Sequence, residues 1–540
     1  MGKKRKFEKD FYFDCQFFKH LWRIVKFLLF PKFNWAVSLI LSTLIIAVGS
    51  EVVGYFTGLV PGKMYRALLN KDKDEFWNIM LRGTLLYIGK TLLIALTGYS
   101  SWFLYLWWRR NCVYQLHKRY FRNKAYYNIN CIDDYGVDNP DQRITQDVER
   151  MTNKLAINIV PNLIIGPFVI AYYTYKTAST AGALGIALIY GYFVIGVIVN
   201  KLLVSPMVKW NARTEKAEGD FRYKHVTVRN NAESSALHNA EDFEFEECNR
   251  IFLTLWWRQV RFISWKLPNL FWQQFFDYYG GILSYAIQYI PIFMLHIYDD
   301  KPPSDIAMAI SNNAFVYIYL VNSFTRITDL SLSLGEMAGI IEPVSFSIDQ
   351  NSADLLIKNN LETETPYSDT IMEIKNLSYS IPTNSDITLL QGELSFTNLD
   401  ENILVVGPSG CGKSSLIRVI SRLWKQDSGI VVQNTKYRIM RLPQTPYFPT
   451  GYLTLLQQIQ FPYIEKNDLS SKGIFSFIYF ILILQDTLTP GEQQRLAFAR
   501  ILYRLPHMVM LDESTSSVSI DLEKKMYELL KKVNYYMVIE

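Results

Sequence analysis

The residues with the clearest chemistry lie in ILVVGPSGCGKSSLIRVI, residues 403–420. An apolar run typical of a strand ends at Gly407, a glycine-rich loop follows, and a helix is predicted to begin at Lys413. Four residues separate Gly407 from Gly412, and lysine and serine follow, which is the complete spacing of a phosphate-binding P-loop. The sequence therefore predicts an ATP-type nucleotide site formed by Gly407, Ser409, Gly410, Cys411, Gly412, Lys413, Ser414 and Ser415.

A second motif, PHMVMLDES (506–514), supplies acids that suit this site. Four apolar residues predict a buried strand that ends at Asp512 and Glu513, and Asp512 follows Lys413 by 512 − 413 = 99 residues. We predict that Lys413 contacts the β- and γ-phosphates, while Ser414 and Asp512 hold Mg2+. Glu513 is then placed to polarise an attacking water.

Two further candidates for the nucleotide site lie in or just after other predicted strands. Gln444, in RLPQTPYF (441–448), is predicted to reach both Mg2+ and the attacking water, which makes it a catalytic candidate with Glu513. Tyr379 lies 407 − 379 = 28 residues before the P-loop, in a predicted strand. Its ring either stacks on adenine or packs in the core, and the sequence leaves both alternatives open.

The stretch LTPGEQQRLAFAR (488–500) predicts a capped helix start. Thr489 suits the N-cap, Pro490 the first helical position, and Glu492 completes a capping box. The unpaired N–H groups of a helix start also bind phosphate. The stretch is thus either an ordinary cap or a phosphate site made by Thr489, Gly491 and Glu492.

The composition indicates a protein that is partly embedded in a membrane. The 540 residues are 49% hydrophobic and 15% aromatic, with a net charge of +6 and no concentrated basic face. A nucleic-acid partner is therefore not expected. The five cysteines are scattered without a CxxC pair, which argues against a zinc site or a disulfide framework.

Apolar segments long enough to cross a bilayer fill the first 330 residues. We predict six spans, at Trp35–Val60, Met80–Trp107, Leu155–Thr177, Ala181–Val204, Leu267–Leu295 and Ile306–Phe324. The basic N-terminus and the basic loop after the second span place the N-terminus in the cytosol by the positive-inside rule. The long cytosolic loops (108–154 and 205–266) are predicted to be helical continuations of the spans.

Several residues within the predicted spans have two possible roles. Glu51 and Asp277 are intramembrane acids, which are either functional or solvated near a span end. The aromatic residues of the fifth span either line a cavity or form an interfacial belt that faces lipid.

The predicted domain order is a cytosolic N-terminus (1–34), a transmembrane domain (35–330), a polar linker (331–370) and an α/β domain (371–540). Strand-like runs at 371–380 and 401–407 alternate with helical segments, which favours an α/β fold.

The motifs Tyr379, GPSGCGKS, Gln444, LTPGEQQR and VMLDES, in this order behind six spans, resemble the ATP-binding cassette half-transporters. The resemblance implies a six-span domain of the type 1 exporter fold, followed by a P-loop nucleotide-binding domain that uses ATP and Mg2+. It also implies a homodimer, in which LTPGEQQR, in the place of the family's usual LSGGQ, closes over ATP held by the partner's P-loop. Membrane lipid and a small-molecule substrate are the other implied partners.

The segments NPDQRITQDVER (139–150) and EGDFRYKHVTVRNNAES (218–234) resemble subfamily D, which has peroxisomal and lysosomal members. NKDKDEF (70–76), FDYYGGILSY (276–285) and the proline in the signature resemble its lysosomal branch. This implies a lysosomal membrane protein that exports cobalamin to the cytosol. The alternatives are a peroxisomal transporter of very-long-chain fatty acyl-CoA, and an ATP-binding subunit that hydrolyses poorly; the endoplasmic reticulum is an alternative location.

Three features depart from the family pattern. Thr489 and Pro490 replace a serine and a glycine of the signature. Gln444 and Leu488 are only 488 − 444 = 44 residues apart, so the helical subdomain is shortened, and we interpret the uncharged run 474–484 as intron-derived sequence. No histidine follows Glu513, so the C-terminus is interpreted as truncated before the family's switch histidine, and poor ATP hydrolysis is expected.

Overall fold

The structure is a computed structural model, and its contacts divide the chain into two units. It describes residues 35–132, 140–349, 371–382, 384–390, 396–397, 402–408, 410–434, 436–449, 459, 488–530 and 535–539. Unit 1 comprises Met1–Arg122 and Val137–Asn351, and unit 2 comprises Asn123–Gly136 and Ser352–Glu540. The predicted N-terminus 1–34, Ser409, the run 474–484 and the linker residues 350–370 lie outside the described residues.

The described part of unit 1 is helical. Its helices include α1 (Trp35–Gly58), α2 (Val60–Leu69), α3 (Lys73–Tyr120), α4 (Val160–Asn230), α5 (Ala232–Leu237), α6 (Glu241–Ala286) and α7 (Pro303–Asp349). Shorter helical turns of unit 1 lie at Pro140–Gln142, Arg143–Asp147, Val148–Lys154, Leu155–Ile159 and Ile290–Met294. The turn Arg122–Lys124 crosses the boundary between the units, and the turns Ala125–Tyr127 and Asn128–Ile132 belong to unit 2. Helices α3, α4 and α6 extend into the two long loops, as the sequence predicts. Helix α7 covers the first part of the predicted linker.

Three helical stretches in the described part of the chain are long and apolar enough to cross a membrane, namely Trp35–Leu69, Lys73–Tyr120 and Pro140–Asn230. The third is interrupted at Gly182, whose backbone angles of φ 66° and ψ −163° lie outside the helical region. Glycine adopts a positive φ without a Cβ clash, so it fits the junction between the third and fourth predicted spans. The fifth and sixth predicted spans fall mainly on α6 and α7. That the chain crosses the membrane six times stays a prediction.

The end of α1 and the start of α2 pack closely on α7 because two glycines present no side chain. A Cβ on Gly58 would lie 2.0–2.3 Å from ring carbons of Phe315, and one on Gly62 would lie 2.3 Å from Oδ1 of Asn312. Small residues at such spacing allow the backbones of membrane helices to approach each other. This contact holds the first helical pair against the last long helix of unit 1.

Replacing Gly58 with alanine is expected to lower the thermal stability of the detergent-solubilised protein. The new methyl must displace the Phe315 ring, and overpacking of this kind costs about 1–3 kcal/mol. Gly49→Ala, on the same helix with no atom within 4 Å of its Cβ position, is the control. Melting curves followed by tryptophan fluorescence compare the two; a Gly58→Ala melt at or above that of Gly49→Ala would contradict the packing argument.

The aromatic side chains of the fifth predicted span point mainly away from the protein interior. Phe271 is 69% exposed and Tyr278 is 77% exposed. Phe276 is the exception, since it is 5% exposed and stacks on Tyr192 with ring centroids 4.1 Å apart. The exposure favours the lipid-facing belt over the cavity lining.

Unit 2 contains two sheets. In the first, β1 (Met372–Ile381) pairs antiparallel with β2 (Asn384–Leu390), β3 (Phe396–Thr397) and β5 (Ser428–Gln433). The second is parallel, in the order β4 (Ile403–Val405), β8 (Tyr535–Ile539), β7 (Met508–Asp512) and β6 (Ile439–Leu442). The helices described with them are α8 (Lys413–Ile420), α9 (Pro490–Arg504) and α10 (Ile520–Leu530). The unit is α/β, as predicted.

Strand β7 is the buried centre of the parallel sheet. Its residues Met508 to Leu511 are at most 1% exposed, and β6 and β8 flank it on both sides. A continuous apolar run suits a parallel strand that is covered on both faces. Because the carboxyl ends of β4, β6 and β7 lie at one edge, the polar residues that follow these strands come together there.

Candidate nucleotide-binding site

The P-loop leaves β4 and leads directly into α8. Gly410 and Gly412 have φ values of 81° and 100°, a left-handed conformation that glycine adopts without strain. Gly412 is the N-cap of α8, so the first N–H groups of the helix are directed toward the loop. Lys413 donates to the carbonyl oxygen of Gly407 across the loop. The loop thus presents backbone donors and an ammonium group to one small volume, which is what an oxyanion requires.

The predicted Mg2+ ligands Ser414 and Asp512 are in direct contact. The Ser414 hydroxyl donates to Oδ1 of Asp512 over 2.8 Å. Burial raises the pKa of the Asp512 carboxyl, against the lowering effect of the Ser414 hydrogen bond. A hydroxyl and a carboxylate provide the hard oxygen ligands that Mg2+ prefers, and Mg2+ keeps several waters beside them. The donor set fits Mg2+.

The structure also brings Glu513 and Gln444 together. They follow β7 and β6, which are neighbouring parallel strands, and the Gln444 amide donates to Oε2 of Glu513 over 2.7 Å. Glu513 has φ 43°, a left-handed conformation that is uncommon for a residue with a side chain. Such strain is retained where the surrounding structure requires it, often at functional sites. Here the strained residue is Glu513, whose carboxylate follows the predicted Mg2+ ligand Asp512 directly in the chain.

Tyr379 lies in the core of unit 2. It is 3% exposed, and its hydroxyl donates to the carbonyl oxygen of Gly412 over 3.2 Å. Burial raises the pKa of its hydroxyl to about 12. Stacking on adenine requires an accessible ring face, so this geometry favours the core-tyrosine alternative. The remaining P-loop candidates differ in access, since Cys411 is exposed and Ser415 is 7% exposed.

Helix α9 begins with the complete capping box. The Thr489 hydroxyl accepts from the N–H of Glu492 over 3.4 Å, and the Thr489 N–H donates to Oε2 of Glu492 over 3.0 Å. Pro490 occupies the first turn. Thr489 and Pro490 are exposed, so the helix start is accessible from outside the unit. The Thr489 hydroxyl also donates to Oε2 of Glu492 over 2.8 Å. The two hydrogen bonds that Thr489 donates to the carboxylate, together with Arg495 nearby, lower the pKa of the Glu492 carboxyl.

The stabilisation contributed by Thr489 is expected to depend on pH. A carboxyl whose pKa is lowered in the folded state stabilises the fold above its ordinary pKa of 4.5, and this contribution is lost as pH falls through the lowered value. Thr489→Val removes the hydroxyl at nearly constant volume. It should therefore reduce thermal stability more at pH 7 than at pH 3.5, as measured by scanning fluorimetry. An equal reduction at both pH values would show that Glu492 plays no part.

Some residues at this site are not singled out by the sequence analysis. Oε1 of Gln494, on α9, accepts from the N–H of Ser517 over 2.9 Å. A Cβ on Gly491 would lie 2.7 Å from the carbonyl oxygen of Ser517. The start of α9 is therefore fitted closely to the segment that follows Glu513, and a side chain at 491 would displace the Ser517 carbonyl group. The small polar residues 514–517, which follow Glu513, are typical of a turn. Nothing in their sequence indicates that this turn packs against α9.

Another contact that the sequence did not indicate joins the first long loop to the residues that follow α8. Both belong to unit 2, which includes residues 123–136. The Trp424 indole donates to the hydroxyl of Tyr127 over 3.0 Å, and Lys124 donates to the carbonyl oxygen of Ser421 over 3.2 Å. Burial lowers the pKa of the Lys124 ammonium, and the positive charges of Arg441 and Arg422 lower it further. The first long loop therefore contributes residues that pack at the C-terminal end of the P-loop helix.

A unit with long apolar helices and a P-loop α/β unit with a capped α9 occur together on one chain. This combination defines the class of membrane transporters that have an ATP-binding cassette. Two family models match the chain, "ABC transporter transmembrane region 2" over residues 24–293 and "ABC transporter" over residues 393–516.

Curated relatives give the same result over nearly the whole length. The human "Lysosomal cobalamin transporter ABCD4" is 34% identical over 96% of this chain and 91% of its own length. "ABC transporter D family member 3" of Dictyostelium discoideum is 27% identical over 98% and 86%, and human "ATP-binding cassette sub-family D member 3" is 25% identical over 86% and 76%. The chain belongs to the ABC transporter family, subfamily D. The resemblance seen in the sequence is confirmed.

Proposed function

We propose that this chain is one half of a dimeric, ATP-driven transporter that exports cobalamin from the lysosome to the cytosol. The observation that carries the substrate is the identity of 34% to the human lysosomal cobalamin transporter, spread over 96% of the chain. The local match of the motifs NKDKDEF (70–76) and FDYYGGILSY (276–285) to that branch supports it.

The nucleotide site supports the ATP-driven part of the proposal. The backbone donors of Gly410, Cys411 and Gly412 and the ammonium of Lys413 bind the phosphates. Ser414 and Asp512, 2.8 Å apart, would hold Mg2+. Gln444, whose amide donates to Glu513, is the third predicted ligand. Mg2+ supplies charge neutralisation on the β- and γ-phosphates when it is bound. Glu513, oriented by Gln444 at 2.7 Å, accepts the proton of the attacking water.

The signature residues complete the site of a second copy. Thr489, Gly491 and Glu492 lie at the exposed start of α9, where unpaired N–H groups and a hydroxyl attract the γ-phosphate of ATP held by the partner. Thr489 keeps the hydroxyl of the usual serine. Pro490 has no N–H, but a helix start does not use that donor internally.

The proposed location is the lysosomal membrane, with the N-terminus and unit 2 in the cytosol. The long apolar helices support insertion into a bilayer, and the basic residues near Arg109 to Lys124 support the orientation. Lipid contact is supported by the exposed apolar side chains of α1 and α3, such as Ile45 at 71% and Leu85 at 62% exposure.

Efflux from proteoliposomes tests the function. Vesicles loaded with cobalamin carry the purified chain, and ATP with Mg2+ is added outside, so that only outward-facing cassettes act. ATP-dependent loss of cobalamin from wild-type vesicles is expected, and none from vesicles with Lys413→Ala. Loss of a very-long-chain acyl-CoA instead of cobalamin would favour the peroxisomal alternative. Transport that appears only after adding a different half-transporter would favour the hydrolysis-defective subunit.

A further inference from the structure

A cluster of cations surrounds one tryptophan where α4 and α6 leave the apolar part of unit 1. Cζ of Arg213 lies 4.6 Å from the centroid of the Trp210 ring, and Cζ of Arg261 lies 5.0 Å from it. Arg258 joins the two helices, since its Nη1 donates to the carbonyl oxygen of Arg213 over 3.0 Å. We call Trp210, Arg213, Arg258 and Arg261 the Trp210 cluster. It brings three guanidinium groups to one place on the surface of the helix pair.

Nearby acids do not balance the positive charge of the Trp210 cluster. Within the part of the chain that the structure describes, none of its three arginines forms an ion pair. Three basic residues lie within six positions of Trp210 and three within six positions of Arg261, and Glu215 is the single acid in both ranges. Glu215 pairs with Arg150 over 2.6 Å. Arg213 and Arg261 are exposed, so an anion from outside unit 1 can reach them.

The Trp210 cluster lies at the level where lipid headgroups are expected. Trp210 follows Val204, the predicted end of the fourth span, by six residues. Arg261 precedes Leu267, the predicted start of the fifth span, by six residues as well. At 1.5 Å per helical residue this is about 9 Å beyond the apolar core on both helices, a distance from which long arginine side chains reach the phosphate layer.

A lipid-facing surface adjoins the Trp210 cluster on the side of the predicted spans. Leu202 on α4 is 68% exposed, and Leu267 on α6 is 70% exposed. Exposed apolar side chains of this kind at the end of a span suit contact with acyl chains. A phospholipid that covers this surface therefore has its headgroup next to the three guanidinium groups.

We propose that the Trp210 cluster binds the headgroup of an anionic phospholipid that carries phosphate monoesters, in the leaflet next to the two long loops. Guanidinium groups bind phosphate oxygens through paired, charge-assisted hydrogen bonds. A phosphate monoester has a charge of about −1.5 to −2 at neutral pH, so three guanidinium groups suit it better than they suit a singly charged phosphodiester. Basic sites between membrane helices recognise phosphoinositide headgroups through the same interactions.

The Trp210 ring prepares the site before the lipid arrives. Its cation–π contacts restrain the side chains of Arg213 and Arg261, so less conformational freedom is lost when the headgroup binds. The inference rests on the insertion of unit 1 into a membrane. It does not depend on which molecule is transported or on ATP hydrolysis.

Removing the two exposed arginines should weaken lipid binding. The double variant Arg213→Gln and Arg261→Gln removes charge-assisted hydrogen bonds, so the Kd for phosphatidylinositol 4,5-bisphosphate should rise by about tenfold or more. Lysine at the same two positions keeps the charge without the planar fork, and should recover part of the affinity. Arg110→Gln is the matched control and should leave the Kd unchanged. Arg110 lies 5.4 Å from the ring of Trp107, at the end of the second predicted span, but only one cation contacts that ring in the part of the chain described.

Native mass spectrometry of the full chain in detergent micelles measures the binding, because it counts the lipid molecules on each protein. Phosphatidylinositol 4,5-bisphosphate is compared with phosphatidylserine and phosphatidylcholine that carry the same acyl chains. We expect the bisphosphate to bind most tightly, and its advantage over phosphatidylserine to disappear in the double glutamine variant. Inositol 1,4,5-trisphosphate, the headgroup without acyl chains, should bind more weakly than the lipid, since the exposed apolar surface then stays uncovered.

Several outcomes would overturn the lipid site. An equal loss of affinity in Arg110→Gln would show a general attraction of lipid to basic helix ends. Equal binding of phosphatidylserine and the bisphosphate would remove the preference for phosphate monoesters, and trisphosphate binding as tight as that of the lipid would indicate a soluble anion instead.

A change in oligomeric state would assign the face to another partner. If the double glutamine variant separates into monomers in lipid-free detergent while the unaltered chain stays dimeric, the face contacts a second copy of the chain, and the lipid site is refuted. Because the altered side chains are exposed, all variants should melt at the same temperature without added lipid. Loss of lipid binding in the lysine variant as complete as in the glutamine variant, together with a lowered melting temperature in both, would show damage to the fold and not a lost site.

Discussion

Exchanging Glu513 for glutamine is expected to lower the rate of ATP hydrolysis by about 10²- to 10⁴-fold, the usual contribution of a general base, and to leave ATP binding intact. Glutamine has nearly the same shape and still accepts the hydrogen bond that Gln444 donates over 2.7 Å. It cannot accept a proton from water. The P-loop donors and the Ser414–Asp512 contact are unaffected, so the phosphates and Mg2+ are held as before.

The assay should count single turnovers of radiolabelled ATP, because single turnovers separate the chemical step from nucleotide binding and product release. Binding of a fluorescent ATP analogue reports the retained affinity. Glu528→Gln, an exposed acid on α10, is the matched control and should hydrolyse ATP at the original rate. Equal rates for Glu513→Gln and the unaltered chain would remove Glu513 from the mechanism.

The nucleotide site is the part of the structure that local sequence predicts best. The P-loop, the capping box of α9 and the acids that follow β7 are each encoded within fewer than ten consecutive residues, since backbone geometry and side-chain type decide them locally. The capping box forms with both of its hydrogen bonds, at 3.0 and 3.4 Å. The contact of Ser414 with Asp512 follows from the parallel sheet, which brings the ends of β4 and β7 to one edge.

Tertiary packing explains what the sequence analysis left open or missed. Whether Tyr379 stacks on adenine or lies in the core depends on residues distant in the chain, and its 3% exposure follows from the packing of β1 against α8. The contact of Trp424 with Tyr127 joins residues 424 − 127 = 297 positions apart. No periodicity or motif encodes such a separation. The partner of Glu51 was hidden for the same reason, because Arg326, which donates to its carboxylate over 3.1 Å, lies on the last long helix of unit 1.

Replacing Gly491 with aspartate is expected to abolish ATP-dependent closure of the dimer while each chain still binds ATP. Aspartate in the first turn of α9 is compatible with the helix dipole, so its charge does not oppose folding. In the closed dimer, however, that carboxylate would face the γ-phosphate held by the partner's Lys413. A like-charge contact of this kind costs several kcal/mol, which corresponds to a loss of about 10²-fold or more in closure.

The substitution also adds bulk, because a Cβ at position 491 would lie 2.7 Å from the carbonyl oxygen of Ser517. Gly491→Asn has nearly the same size without the charge, and it separates the two effects. We expect the asparagine variant to close more weakly than the unaltered chain and the aspartate variant not to close at all. Closure is measured by ATP-dependent cross-linking of chains that also carry Glu513→Gln. A fluorescent ATP analogue should bind all of these variants alike. Closure by the aspartate variant equal to that of the asparagine variant would mean that α9 does not approach the partner's phosphate.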